Sequence, residues 1–194
     1  EQVFDGLLVR DQVSWGALIS GYVQNGHGLH ALKLYESMQE ESITPDRVLL
    51  LCITKAIATI GGEMTQGRII FNEVVKNGLE LDVAIASCII DMYGKCGSVL
   101  EAKSTFEPLC PRDVISWNTM LALYAQNGQA SEAMESFKRM LVEHIHPDEV
   151  TFVCLLTACS HAGCLDIGKY IFAHMNVGHR IPWMRDHYGC MVDL

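Results

Sequence analysis

Cys154, Cys159, His161 and Cys164 are the closest this sequence comes to metal chemistry, because thiolates and an imidazole crowded into one short segment are what a zinc site requires. The spacing does not complete the set. Structural zinc sites present their cysteines in C-x-x-C pairs, and none of the eight cysteines forms one. Instead Cys52, Cys88, Cys154 and Cys190 return at one place of a repeating pattern, with Ala17 and Thr119 in the other copies. A place that accepts Cys, Ala or Thr asks for a small side chain against a packed neighbour, so these thiols read as reduced structural groups. No metal, cofactor or disulfide framework is expected, and the compartment is expected to be reducing. His161, His174, His179 and His187 show no common phase and are expected on the surface or in loops.

A second chemical series is more regular. Asp11, Asp46, Asp82, Asp113 and Asp148 each precede an apolar run, at successive intervals of 35, 36, 31 and 35 residues. A carboxylate at that place can accept from the free N–H groups that open a helix, or it can offer acceptors to a ligand. The two jobs are compatible. Trp15 and Trp117 add flat aromatic surfaces of the kind on which nucleobases stack. Their counterparts in phase are Leu50, Ala86, Phe152 and Tyr188, a set that suits a core position between helices. No nucleophile, general base or metal constellation interrupts the pattern, so no catalytic residue is expected and the chain is not expected to be an enzyme.

These residues sit on a sequence that repeats. DQVSWGALISGYVQNG, ending at Gly26, returns as DVISWNTMLALYAQNG, ending at Gly128, at an offset of 102 residues. The same offset pairs Phe4 with Phe106, Met38 with Met140, Pro45 with Pro147 and Cys88 with Cys190. A fixed offset over the whole chain means repeated architecture. The aspartate intervals divide it into units 12–46, 47–82, 83–113, 114–148 and 149–184, with fragments 1–11 and 185–194 at the ends. Each unit reads as two helices. The first has helical apolar spacing (Trp15, Leu18, Ile19, Tyr22) and stops near a glycine at its fifteenth place: Gly26, Gly61, Gly97, Gly128 or Gly163. The second opens with a small residue (Ala31, Ala102, Ala133 or Gly168) that permits close helix approach. Unit 47–82 gains its extra residue around Gly61 and Gly62, a local loop change. Helical hairpins of this kind cannot bury their apolar faces alone, so the expected fold is all-α, an α-solenoid of stacked helix-turn-helix repeats in a right-handed superhelix.

The bulk numbers narrow the partners. Fourteen Lys and Arg against 23 Asp and Glu give a formal net charge of −9, which is evidence against a nonspecific phosphate binder. Any RNA binding must rest on locally placed groups. No apolar stretch approaches the roughly 20 residues of a membrane span, so no membrane partner is expected. The chain starts without a targeting segment, and both ends fall mid-repeat, as expected of part of a larger protein.

The blocks VSWGALISGYVQNG, VISWNTMLALYAQNG, CIIDMYGKCG and TFVCLLTACSHAG resemble the plant pentatricopeptide-repeat proteins, over essentially the whole chain. They lack the early Leu-Gly of tetratricopeptide repeats. The alternation of 35, 36 and 31 residues is similar to the subclass with P, L and S repeats in rotation. By that resemblance 12–46 is P-type, 47–82 L-type, 83–113 S-type, 114–148 P-type and 149–184 L-type. Residues 1–11 are similar to the end of an S repeat, and 185–194 to the start of another. TACSHAG followed by HYGCMVDL resembles the last triplet of organellar RNA-editing factors, which commonly continue into a zinc-dependent deaminase domain. The H-x-E and P-C-x-x-C elements of such a deaminase are absent from this chain.

The resemblance implies one nucleotide per repeat, chosen by the fifth residue of the first helix and the last residue of the repeat. The pairs are Gly16 with Asp46, Leu51 with Asp82, Ser87 with Asp113, Asn118 with Asp148, and Val153 with Met184. Val13, Val48, Ala84, Ile115 and Val150, second in each repeat, are implied to sandwich the bases. By the family's correspondence Ser87 with Asp113 favours G and Asn118 with Asp148 favours U, predicting a 5′-GU-3′ core. Gly16 departs from the polar residue usual in a P-type repeat, and Leu51 and Val153 cannot hydrogen-bond a base. The implied function is a single-stranded RNA adaptor for organellar processing, foremost C-to-U editing, in a mitochondrion or chloroplast. Protein editing cofactors or a deaminase in trans are the further partners implied. The alternative is a protein-binding helical scaffold in an organellar ribonucleoprotein or ribosome complex, which the acidic balance favours.

Overall fold

The computed structural model describes residue 4, residues 10–61 and residues 64–194, and every regular element among them is helical. Most of the fragment 1–11, and Gly62, fall outside the described residues. The elements are α1 (Gln12–Gln24), α2 (Gly28–Glu40), α3 (Arg47–Ile60), α4 (Met64–Lys76), α5 (Val83–Lys95) and α6 (Val99–Phe106). They continue as α7 (Val114–Gln126), α8 (Ala130–Val142), α9 (Glu149–Ala162), α10 (Leu165–His179) and α11 (Arg185–Val192).

The aspartates decide where the first helix of each hairpin starts. Asp11, Asp46, Asp82, Asp113 and Asp148 are the N-caps of α1, α3, α5, α7 and α9. Each carboxylate accepts the backbone N–H three residues on, at 2.8 to 3.0 Å. Such a cap is worth about 1 kcal/mol. Ser14, Ser116 and Thr151 close the reciprocal half, their hydroxyls accepting the N–H of Asp11, Asp113 and Asp148. The glycines decide where these helices stop. Gly26, Gly97, Gly128 and Gly163 take φ of 77, 76, 64 and 66°, a left-handed conformation that costs glycine nothing. The next N–H then reaches back five residues, as in His27 to Tyr22 (2.9 Å) and Cys164 to Cys159 (2.8 Å), and satisfies a terminal carbonyl.

The chain forms two compact units, residues 1–105 and 106–194. In the first, α1, α3 and α5 lie side by side, while α2 packs on α1 and α3 and α4 packs on α3 and α5. In the second, α7, α9 and α11 make the inner row, with α8 against α7 and α9 and α10 against α9 and α11. The inner rows bury large apolar side chains: Ile53, Ile57, Ile89 and Ile90 in one unit, Trp117, Leu121 and Leu156 in the other. Small residues allow the second helices to close in. Ala31, Ala102 and Ala133 are fully buried, and a Cβ on Gly28 would stand 2.7 Å from an Ile60 methyl.

Trp15 and Trp117 are core residues, edge-on to Phe4 (4.7 Å between ring centres) and Phe106 (4.8 Å). Arg10 and Arg112 cap those rings at 5.0 and 4.8 Å, and pair with Glu41 (3.3 Å) and Glu143 (2.6 Å). The whole Phe–Arg–Trp–Glu cluster therefore recurs at the 102-residue offset. One difference separates the copies. Trp15 donates its Nε1–H to Glu41 at 3.2 Å, whereas the buried Nε1 of Trp117 has no partner among the described residues.

His187 corrects the surface assignment of the histidines. It is fully buried at the third place of its repeat, in phase with Ser14, Ser116 and Thr151. Its Nδ1 accepts the Met184 N–H at 3.0 Å, which leaves Nε2–H to donate to the Glu149 carbonyl at 3.0 Å. An imidazole thus does the work of the capping hydroxyl. The eight cysteines are free thiols, and burial raises those of Cys154 and Cys159 to about 11.

Candidate nucleic-acid interface

The first turn of five inner helices, α1, α3, α5, α7 and α9, leaves an apolar side chain without cover. Val13, Val48, Ile115 and Val150 are between 54 and 77% exposed, and Ala84 is exposed as well. Each stands one residue after the helix start, so the five recur in phase with the capping aspartates. Branched apolar groups held in water at one repeated place are what a stack of flat ligands would cover.

Asn118 and Asp148 meet. The Asn118 Nδ2 donates to Asp148 Oδ1 at 2.9 Å, while the Thr151 hydroxyl lies 2.7 Å from Asn118 Oδ1 and 2.9 Å from Asp148 Oδ1. The Thr151 N–H adds a third contact to that carboxylate oxygen, at 2.9 Å. The consequence is orientation. With Nδ2 turned to the carboxylate and Oδ1 to the hydroxyl, the amide cannot flip without breaking both bonds. One Nδ2 hydrogen and one Oδ1 lone pair stay unspent, as does Asp148 Oδ2 among the described residues. Asn118 itself is 8% exposed, held between α7 and α9.

The other pairs behave differently. Gly16 offers no side chain, and the exposed Asp46 carboxylate accepts only the Leu49 N–H among the described residues. Leu51 is half-buried and apolar, and its partner position Asp82 is taken by Arg47. Arg47 Nε reaches Asp82 Oδ2 at 2.6 Å and Nη2 reaches Oδ1 at 3.1 Å, while Oδ1 also accepts the Ile85 N–H at 3.0 Å. The guanidinium holds the Asp82 carboxyl below its ordinary value of 3.8. Val153 is half-buried, its carbonyl facing the Cys190 thiol at 4.0 Å, and Met184 is exposed. Ser87 lies in the first unit, 7% exposed, donating to the Val83 carbonyl at 2.8 Å. Asp113 lies in the second unit, capping α7.

Two residues escaped the sequence reading: Thr151, which ties Asn118 to Asp148, and Arg47, which closes Asp82. Thr151 had a signal, a hydroxyl at the third helical place just where the fifth residue one repeat earlier is polar. Arg47 had one too. Opposite charges 31 to 35 residues apart recur as pairs: Arg10 with Glu41, Arg68 with Glu101 and Arg139 with Glu107 between neighbouring units, and Arg47 with Asp82 between the first and last residues of one unit.

Capped helical hairpins stacked in rows, with exposed apolar groups in register, define a helical-repeat protein. Models of the PPR repeat family match residues 10–48 and 112–161, and of the PPR repeat residues 85–107, together more than half of the chain. The chain belongs to the PPR repeat family. It is 39% identical over 193 residues to the pentatricopeptide repeat-containing protein At4g33990 of Arabidopsis thaliana, covering 99% of this chain and 23% of that protein. It is 36% identical over 194 residues to the chloroplastic protein CRR2 of the same plant, covering 99% and 29%. A mitochondrial relative, At3g02330, is 37% identical over 182 residues, covering 94% and 20%. The chain thus spans about a quarter of the length of these relatives. Among solved structures, the pentatricopeptide repeat protein PPR10 in complex with an 18-nt psaJ RNA element superposes with a TM-score of 0.81 at 20% identity, over 99% of this chain and 29% of that one. The PPR domain of Arabidopsis thaliana protein-only RNase P 1 in complex with tRNA gives 0.70 at 13% identity, over 92% and 97%. These likenesses establish the α-solenoid fold of stacked helix-turn-helix repeats.

Proposed function

We propose that this chain is a sequence-selective binder of single-stranded RNA, one nucleotide per repeat, acting as a specificity adaptor for organellar RNA processing. C-to-U editing is the process that the P, L and S rotation of its repeats fits best, with a mitochondrion or chloroplast as its place. The observation that carries the reading is the Asn118–Asp148–Thr151 cluster beside the exposed Ile115 and Val150. The unspent donor and acceptor of Asn118 match the adjacent N3–H and carbonyl acceptor of uracil's Watson–Crick edge. Ile115 and Val150 would grip the two faces of that base. Ser87 and Asp113 would read the preceding nucleotide as G.

The test is binding of the full-length protein to short RNAs that differ at the predicted G and U, repeated with Asn118→Ser. Discrimination should move from U toward G at that nucleotide alone. Unchanged discrimination, or none in either protein, would sink the proposal. A second reading, a protein-binding scaffold, draws on the net charge of −9 and on the apolar Leu51 and Val153 at reading places. It requires that RNA binding by the full-length protein be absent.

A further inference from the structure

Repeat 47–82 holds an aspartate at its last place, as repeat 114–148 does, yet its carboxylate has been given another partner. Arg47, the first residue of the same repeat, reaches from the start of α3 to the start of α5 and takes both Asp82 oxygens in a forked, charge-assisted pair at 2.6 and 3.1 Å. Half of the Arg47 side chain is exposed, and Asp82 is 20% exposed, so the pair lies at the surface beside Val48 and Ala84. In phase with Arg47 stand Gln12, Val83, Val114, Glu149 and, in the closing fragment 185–194, Arg185. The first four are not cationic, and among the described residues none of the five bonds an aspartate at the end of a repeat. Among the whole repeats described, the closure is local to this one.

We infer that Arg47 is a specificity-determining residue: by occupying Asp82 it makes repeat 47–82 pass any base, so that a polar fifth residue alone cannot turn the repeat into a reader. This rests on the RNA-binding reading above. Two physical effects combine. Leu51 offers no hydrogen bond, and the Asp82 oxygens that would orient a polar residue in its place are already paired. Neutralising Asp82 also removes an uncompensated negative charge from a face that must approach phosphates.

The experiment grafts the reader of repeat 114–148 onto repeat 47–82 in the full-length protein. RNAs are varied at the nucleotide immediately 5′ of the predicted G, and affinities are measured for wild type, Leu51→Asn, and Arg47→Val with Leu51→Asn. Arg47→Gln with Leu51→Asn, which copies the residue type at Gln12, gives a second route should the valine variant melt early. Wild type and Leu51→Asn should bind the four RNAs alike. The double variants should prefer U by about tenfold, the discrimination of one good charge-assisted contact. A full U preference in Leu51→Asn alone overturns the inference, because Arg47 would then close nothing. So does an absence of preference in both folded double variants while wild type still discriminates at the Asn118 nucleotide. Loss of discrimination at the Asn118 nucleotide itself defeats the underlying reading instead, so the two failures are distinguishable.

Discussion

Repeats 114–148 and 47–82 end in the same residue and use it in opposite ways. Both aspartates cap the helix that follows, through one oxygen and the N–H three residues on. In repeat 114–148 that oxygen also meets the fifth residue, Asn118, and Oδ2 has no partner among the described residues. In repeat 47–82 an arginine consumes both oxygens and the fifth residue is apolar. Residue identity at the last place therefore says little by itself. Its meaning is set by two neighbours, the fifth residue and whatever stands at the first.

The sharpest way to break this comparison is to remove each carboxylate. Asp148→Ala should lose the cap and strand the buried Asn118 amide, costing about 3 kcal/mol in a denaturant melt. Asp82→Ala should cost about 1 kcal/mol, because Arg47 simply returns to water. Equal costs would mean that the Asn118 contact contributes nothing. A smaller effect is expected from Thr151→Val, about 1 kcal/mol, together with a weakened preference for U as the amide is freed to flip. Thr151→Ser should restore both, and a purely structural hydroxyl would leave base preference untouched. The smallest effect concerns pH. The Asp82 carboxyl is depressed below 3.8, so the pair's contribution is fully present above that value and is lost only as pH falls through the lower, folded midpoint. Carboxyl NMR should find that midpoint below 3.8, moving upward in Arg47→Val.

Much of the architecture was legible because it depends on single residues acting locally. An aspartate needs only the next three residues to cap a helix, and a glycine needs only its own φ to end one, so both mark boundaries in one dimension. Trp15 and Trp117 were placed in the core by their apolar counterparts in phase. The site was legible only as far as pairs at fixed places. Asn118 and Asp148 were named, but the bridge through Thr151 depends on how closely α9 lies against α7, which spacing does not reveal. Arg47 was missed because a long flexible side chain chooses its partner in space. His187 was misjudged because the histidines share no phase with one another: its place matches that of Ser14, Ser116 and Thr151, but only the ring accepting the Met184 N–H shows an imidazole doing a hydroxyl's work.

The shared aspartate also bears on how such arrays change length. The last residue of one hairpin is the cap of the next, so a cut made just after each aspartate removes or inserts a hairpin without leaving a bare helix end. At the seam between units 12–46 and 47–82, as at the seam between 114–148 and 149–184, the aspartate that ends one unit caps the first helix of the next. Gene duplication at these seams can therefore lengthen the array one hairpin at a time, and each new hairpin arrives with the carboxylate that its successor needs.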